Sequence, residues 1–551
     1  MEQLPHAAYP RPQFRRDSYQ CLNGLWAFAI GSDAPPATYP EQILVPFPPE
    51  SKRSGIGRRI AATDTIWYRR TFRVAESTLG KRVLLHFGAI DQTARIFLND
   101  REVGKYDTPY LPLTLDVTDA LQTENTLVVA AVDALDHRLP WGKQKVQNGG
   151  MWYTPFSGIW QTVWLECVPS DYLRSAKITP TLHSVTFSFV RMGAPAPIEL
   201  TVDTPDGALH AVCTGDDCTV EIPNPRLWSP EQPTLYPVSF RYLEDTVHAY
   251  FGLRTIETGV ADGVPRLLLN GKPYFFHGLL DQGYWQDGLC LPPDADGYEQ
   301  DIATMKALGF NTLRKHIRVE PLRFYAACDR LGMVVFQDFV NNGDYRFFHD
   351  TVLPTLGLQR LPDKNAHKGA SRQAFLQAAD GTIDHLYNAP CILYWTIFNE
   401  GWGQFCADDA YRRFKKKDAT RIWDATSGWF RRTCSDVDSR HVYFRRFRPR
   451  IGAKPYVLSE FGGYAYSTDT GKRYGYRFFK TQAAYEAALV RLYADEILPA
   501  IGKGLCAAIY TQVSDVEEEQ NGLLSYDRST QKVGAAFVEV SRCCKGPMGE
   551  A

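Results

Sequence analysis

SRQAFLQAADGTIDHLYNAPCILYWTIFNE, residues 371–400, holds one complete unit of the pattern that decides the fold. Residues 371–390 carry apolar positions at roughly i, i+3, i+4 and i+7, the period of a helix with one buried face. CILYWTIFNE then runs apolar without alternation, as a strand covered on both faces does. The unit recurs upstream. DGYEQDIATMKALGF (296–310) reads as a helix and NTLRKHI (311–317) as a strand; EPLRFYAACDRLG (320–332) and MVVFQDF (333–339) repeat the pair. Repeated β–α units over the last stretch of about 290 residues predict a parallel sheet closed into a (β/α)8 barrel. Such a barrel carries its chemistry at the C-terminal ends of its strands.

Those ends can be read in turn. Strand one, KPYFFHG, runs into Asp281, Tyr284 and Trp285. Strand two ends at Arg314 and His316, strand three at Gln337-Asp338, and strand four at Asn399-Glu400. The fifth leads to Trp429, the sixth offers His441 and Tyr443, the seventh ends at Glu460, and the eighth offers Tyr510, Gln512 and Asp515. Glu400 and Glu460 follow strongly apolar strands, where an ionised group is costly unless paired or used. Strands four and seven lie across the cleft from one another. Two facing carboxylates are what glycoside transfer needs: one protonates the leaving oxygen and the other attacks the anomeric carbon.

Residues 20–168 are short strands rich in aromatic and β-branched residues (LWAFAI, RVLLHF, TLVVAAV), the pattern of a jelly-roll sandwich. Residues 170–258 continue as strands over the length of an immunoglobulin-like sandwich and carry no evident chemistry. The expected division is a jelly-roll, sugar-binding-like domain over 1–169, an immunoglobulin-like sandwich over 170–258 and a catalytic barrel over 259–551.

With these residues in view, the sequence resembles glycoside hydrolase family 2, of the β-galactosidase, β-glucuronidase and β-mannosidase type. The likeness lies in LNGLWAF (22–28), YTPFSGIWQTVWLE (153–166), FGLRTIE (251–257), LNGKPYFFHG (269–278), GFNTLRKH (309–316), NAPCILYWTIFNEG (388–401) and YVLSEFGG (456–463), in the same order and spacing. The resemblance implies Glu400 as acid/base, Glu460 as nucleophile, Asn399 as ligand of the sugar 2-hydroxyl and Tyr443 as the residue that orients the nucleophile. His316, Asp281, Arg314, Trp429, Asp338 and Gln512 complete the expected substrate-binding set. A retaining enzyme would hold the two carboxyl groups roughly 5–5.5 Å apart. Glu400 would be kept protonated by its site and by the charge of Glu460. Trp285, Trp402, Trp429 and Tyr464 are candidate aromatic walls.

The sequence also departs from the family pattern. His316 sits one place early after Arg314, and Gln337-Asp338 replaces an Asp-Glu pair. The β-glucuronidase branch grips the sugar carboxylate with Asn-x-Lys after strand eight, whereas here Asn521 is followed by Gly and Leu. The expected activity is therefore β-galactosidase-like, on neutral glycosides. The alternatives are a β-uronidase using arginines of the 445–450 loop in place of that lysine, and a carbohydrate-binding protein without catalysis.

Composition agrees with an ordinary globular chain: 44% hydrophobic, 22% charged and a formal net charge of -1, which gives no bulk attraction to nucleic acid or anionic lipid. No apolar leader and no run of about 18 apolar residues is evident, so no membrane partner and a cytoplasmic location are expected. The 12 cysteines lack metal-ligand spacing and read as free thiols. No cofactor or metal is expected, since Asp515 and Glu517–Glu519 read as a polar rim. The partner implied is an oligosaccharide or other glycoside, with homo-oligomer formation left open. Lys415–Lys417 read as a solvated helix face.

Overall fold

The computed structural model describes residues 4–74, 80–358, 369–449, 452–467, 471–544 and 546. Two sandwiches precede a barrel. In the first, a six-stranded sheet built around Thr65–Phe72 and Asn125–Val132 packs on a four-stranded sheet built around Arg82–Phe87 and Val163–Val168. Alternation explains the packing: Ile66 and Tyr68 point into the shared core with Leu85, Phe87, Leu127 and Val129. The second sandwich sets a three-stranded sheet against a four-stranded one around Phe187, Phe189, Phe240 and Phe251. A small antiparallel sheet, Ile256–Ala261 with Val264–Leu269 and Lys272–Pro273, then leads into the barrel and shares its core.

The barrel strands are Phe276–Asp281, Thr312–Lys315, Val334–Asp338, Ile392–Asn399, Ile422–Ser427, Asp438–Val442, Tyr456–Gly462 and Leu505–Thr511, here numbered one to eight. Every pairing among them is parallel. The order is five-four-three-two-one-eight-seven-six, so no backbone ladder joins strand five to strand six. One backbone bond, Asp436 N donating to Trp423 O at 2.9 Å, and several side chains bridge that seam instead. Ser427 Oγ lies 3.5 Å from Ser439 Oγ and 3.0 Å from Ser459 Oγ, and the Asp436 carboxylate accepts from Trp423 N at 2.8 Å.

Strand four is buried along its whole length. Its start is tied by two arginines. Arg254, from the FGLR segment of the second sandwich, donates to Pro390 O (3.2 Å), and Arg421 donates to Ile392 O (3.1 Å). The second sandwich thus has a mechanical role in placing the strand that ends at Glu400. The first sandwich docks on the mouth of the barrel. Gly150 N donates to Glu518 (3.0 Å), Thr154 N donates to Glu517 (2.9 Å), and Tyr153 OH donates to Glu519. The acidic cluster expected as a polar rim is therefore largely a domain clamp. All twelve cysteines are free thiols. Among the described residues, no helix is long and apolar enough to cross a membrane.

Candidate active site

The site grows from Arg314. A guanidinium at the end of a buried strand must find acceptors for its donors. Arg314, 1% exposed, finds four oxygens and, more distantly, His441 Nε2 at 3.4 Å. It donates to Asp338 Oδ1 (3.0 Å), Glu460 Oε1 (2.9 Å), Asn399 Oδ1 (2.9 Å) and Ser459 O (3.0 Å). Strands two, three, four and seven are thereby linked through one side chain. Because Asn399 gives its oxygen to Arg314, its amide N–H groups are left to donate elsewhere.

Glu460 is held on both oxygens. Arg314 takes Oε1, and Tyr443 OH donates to Oε2 while lying 3.0 Å from Thr511 Oγ1. Burial alone would raise the Glu460 pKa, but His441 and Arg314 override it and hold it at about 2. Glu460 is thus ionised at neutral pH. Burial also acts on Asp338, yet Arg314 and His316 keep its carboxyl below the ordinary range. His316 Nδ1 lies 2.7 Å from Asp338 Oδ2. Burial, then the nearby Lys143, push His316 down to about 4, so the ring is neutral at pH 7. With Nδ1–H facing Asp338, its Nε2 is an acceptor.

Glu400 closes strand four with a positive φ of 54°, and Gly401 follows at 79°. A left-handed turn at a non-glycine residue costs about 1 kcal/mol. Here it ends the strand and projects the carboxylate beside His441, whose Nδ1 lies 2.8 Å from Glu400 Oε1. The other ring nitrogen of His441 is 2.9 Å from Ser427 Oγ and 3.5 Å from Glu460 Oε1. Ligating atoms of Glu400, His441 and Glu460 all lie within 4.8 Å of one another. That trio could in principle hold a cation, but the Arg314 guanidinium already stands 2.9 Å from Glu460. Its positive charge would repel a second one there.

The structure therefore brings together Glu400, Glu460, Asn399, Arg314, Asp338, His316 and Tyr443. Trp429 borders the group, edge-on to His441 with ring centroids 5.7 Å apart. Gln512 follows Thr511, is fully buried, and has no partner for either side-chain atom among the described residues. Asp281 is placed differently. It pairs in register with Lys315 and accepts from Lys315 Nζ at 2.6 Å and from Gly283 N at 2.9 Å; the same Nζ reaches Glu320 Oε1 at 3.0 Å and lies over the Phe324 ring. Arg314 and Lys315 point to opposite faces of the strand, and Asp281 shares the face of Lys315, toward the helices. Three of the four aromatic walls also pack elsewhere. Trp402 sits among Trp141, Trp152 and Tyr345; Trp285 lies under Arg528; Tyr464 lies under Arg477.

Several neighbours receive no role from the sequence. His441 reads there only as a strand-end residue beside Tyr443, two positions on, a spacing that puts both on one face of an extended chain. Tyr476 stacks on Tyr443 at 3.8 Å and belongs to a loop beyond strand seven. Lys143 comes from the first sandwich, on a loop pinned to the barrel by Trp141 N donating to Asn341 O (3.2 Å) and by Gly142 lying against Ile317 O.

Comparison with known proteins agrees along most of the chain. Residues 55–155 match the model described as glycosyl hydrolase 2 galactose-binding domain-like, residues 178–254 match glycosyl hydrolases family 2, and residues 260–528 match glycosyl hydrolases family 2, TIM barrel domain. A β-galactosidase of Thermoanaerobacter pseudethanolicus is 25% identical over 356 residues, covering 60% of this chain and 44% of its own. A β-glucuronidase of Felis catus is 23% identical over 450 residues, covering 71% of this chain and 65% of its own. The chain thus spans less than two thirds of the length of these two relatives. Among solved structures, a β-D-glucuronidase for Dictyoglomus thermophilum superposes with a TM-score of 0.74 at 15% identity, covering 97% of this chain and 98% of its own. A β-galacturonidase from Eisenbergiella tayi superposes at 0.72 with 19% identity, covering the same shares. At such identities the likeness speaks for the fold.

Proposed function

The chain belongs to glycoside hydrolase family 2, and from that premise we propose that it cleaves terminal β-linked sugars by double displacement. The observation that carries this reading is the carboxylate pair: oxygens of Glu400 and Glu460 within 4.8 Å, one carboxylate held ionised by Arg314 and Tyr443. Inverting enzymes keep roughly 6.5–9.5 Å to admit a water; the shorter gap suits direct attack at about 5–5.5 Å. In the first step Glu400 gives its proton to the glycosidic oxygen, the C1–O bond breaks, and Glu460 bonds to C1. In the second step Glu400 takes a proton from water, whose oxygen attacks C1 and releases Glu460. The free amide N–H of Asn399 and the acceptor Nε2 of His316 are available to sugar hydroxyls.

The test is a pair of leaving groups. Glu400→Gln is expected to slow poor leaving groups by about 10³-fold and activated aryl groups by about tenfold or less, because only the former need protonation. Equal losses on both would remove Glu400 from the role.

The sugar class is read as neutral, β-galactoside-like, because the lysine of the Asn-x-Lys element is absent. Asn521 is itself fully buried and donates to Glu519 at 3.1 Å. One observation favours a second reading, a β-uronide. Lys143 lies beside His316 and has no ion-pair partner among the described residues. A panel of chromogenic β-glycosides decides between them. If uronides are cleaved best, Lys143→Ala should raise KM for them about tenfold or more and leave neutral substrates alone. If neutral sugars are cleaved best and the variant behaves like the parent, Lys143 has no part in sugar recognition.

A further inference from the structure

The loop after strand six carries arginines that the chemistry above leaves unused. Together with the loop after strand five, it encloses a cavity of about 380 Å³ beside the five–six seam. Five arginines line it: Arg431, Arg440, Arg445, Arg446 and Arg448. Arg450 lies outside the described residues. The available countercharge is small. Arg431 and Arg440 lean on the same Asp438 carboxylate, both at 2.9 Å. Arg446 reaches Glu496 only at 4.0 Å, and the other oxygen of Glu496 accepts from Phe447 N. Arg445 and Arg448 have no ion pair or hydrogen bond among the described residues. Five positive charges thus share two carboxylates around one concavity. Arg445, Arg446 and Arg448 are exposed, so solvent screens part of their mutual repulsion, and an anion among them would relieve the rest.

Where this cavity sits gives the charge a use. His441 and Trp429 form part of its wall. On its other side His441 bonds Glu400 at 2.8 Å. An anion among the arginines would therefore be one side chain away from the carboxyl group that protonates the leaving oxygen. The ring that reacts with Glu460 lies at Asn399 and Tyr443; whatever is bonded to the leaving oxygen lies on the side of Glu400. A guanidinium binds a carboxylate or a sulfate through two parallel hydrogen bonds, and an aromatic face such as that of Trp429 accepts the apolar face of a sugar or aryl group.

We propose that this arginine-lined cavity is a leaving-group subsite for an anionic substituent, a carboxylate or sulfate on the aglycone or adjoining sugar. The proposal rests on Glu400 being the acid/base. It is distinct from the sugar-class question above, because it concerns the group that departs.

The experiment uses the full chain and the glycosyl unit that the chromogenic panel selects. Three aryl glycosides of matched leaving-group acidity are compared, with a neutral, a carboxylate-bearing and a sulfate-bearing aryl group. KM is expected to be about tenfold or more lower for at least one anionic aryl group. That advantage should vanish in the Arg445→Ala/Arg448→Ala double variant and shrink with added salt, while kcat on the neutral substrate stays at the parent level. Which anionic arm gains tells carboxylate from sulfate. Equal KM for all three in the parent, or an advantage that survives the double variant, overturns the proposal. If no β-glycoside is turned over, calorimetric titration with a uronic-acid disaccharide and a sulfated disaccharide decides. Binding lost in the double variant keeps the anion site and fails the glycosidase reading; no binding of either fails the site.

Discussion

Glu460→Ala is expected to lower kcat by at least about 10⁴-fold on every β-glycoside the parent cleaves. Added azide should restore turnover and give the α-glycosyl azide. The removed side chain leaves room below C1, and azide enters there while Glu400 still protonates the leaving group. Glu400→Ala should give the opposite product. Glu460 still forms the glycosyl-enzyme with an activated substrate, and azide then attacks from the other face to leave the β-azide. The pair of stereochemical outcomes assigns each carboxylate independently of rate. A β-azide from Glu460→Ala would reverse the two roles. Loss of fold is not the expected cause of the rate loss, because Arg314 keeps Asp338 and Asn399 as partners when Glu460 is gone.

Arg314→Gln is expected to have the second large effect, on stability as well as rate. It strips the shared cation from two buried carboxylates, Asp338 and Glu460, and breaking a buried pair in this way costs about 3–5 kcal/mol. The loss should depend on pH. Glu460 is depressed from 4.5 to about 2 in the folded protein. Its stabilising contribution is therefore fully present above 4.5 and is lost as pH falls from 4.5 toward 2. The gap in unfolding free energy between parent and variant should be largest at pH 7 and narrow markedly by about pH 3, well inside that window, where the carboxylates take up protons. Denaturant unfolding at the two pH values measures this. A gap of equal size at both would mean that lost packing, not lost charge, explains the variant. Arg314→Lys should fold better than Arg314→Gln yet remain slow, since one ammonium cannot serve four acceptors on three strands.

Much of this site was legible because a parallel barrel strand is apolar until it ends. The first polar residues after ILYWTIF and YVLS are Asn399, Glu400 and Glu460, and nothing in a buried strand competes with that signal. The same rule failed for Asp281. A strand end gives height along the barrel, but which face a side chain takes depends on register, and Asp281 shares its face with Lys315. The aromatic walls misled for a related reason. Trp402 follows Glu400 closely, but the first sandwich supplies Trp141 and Trp152 to pack against it. Contributions from other domains leave no trace in the period of the barrel strands. Lys143 and the clamp at Glu517–Glu519 became visible only once the sandwich was docked. The two sandwiches themselves were readable from alternation and turn residues, whereas the break between strands five and six was not. Both strands have the composition of laddered neighbours, and the serines that bridge them look like ordinary small core residues.

That break changes what sets the gap between the two glutamates. A ring laced all round is stiff because every strand is held from both sides. A ring cut at one place is a spring clip, whose free ends part by slight bending shared among all the other strands. Glu400 stands one strand from one free end, and Glu460 one strand from the other. The span between them is thus the part of the barrel that such bending changes most. Arg314, reaching from strand two to strands three, four and seven, is a tie across the mouth of that clip. It lets an unlaced barrel keep a fixed aperture.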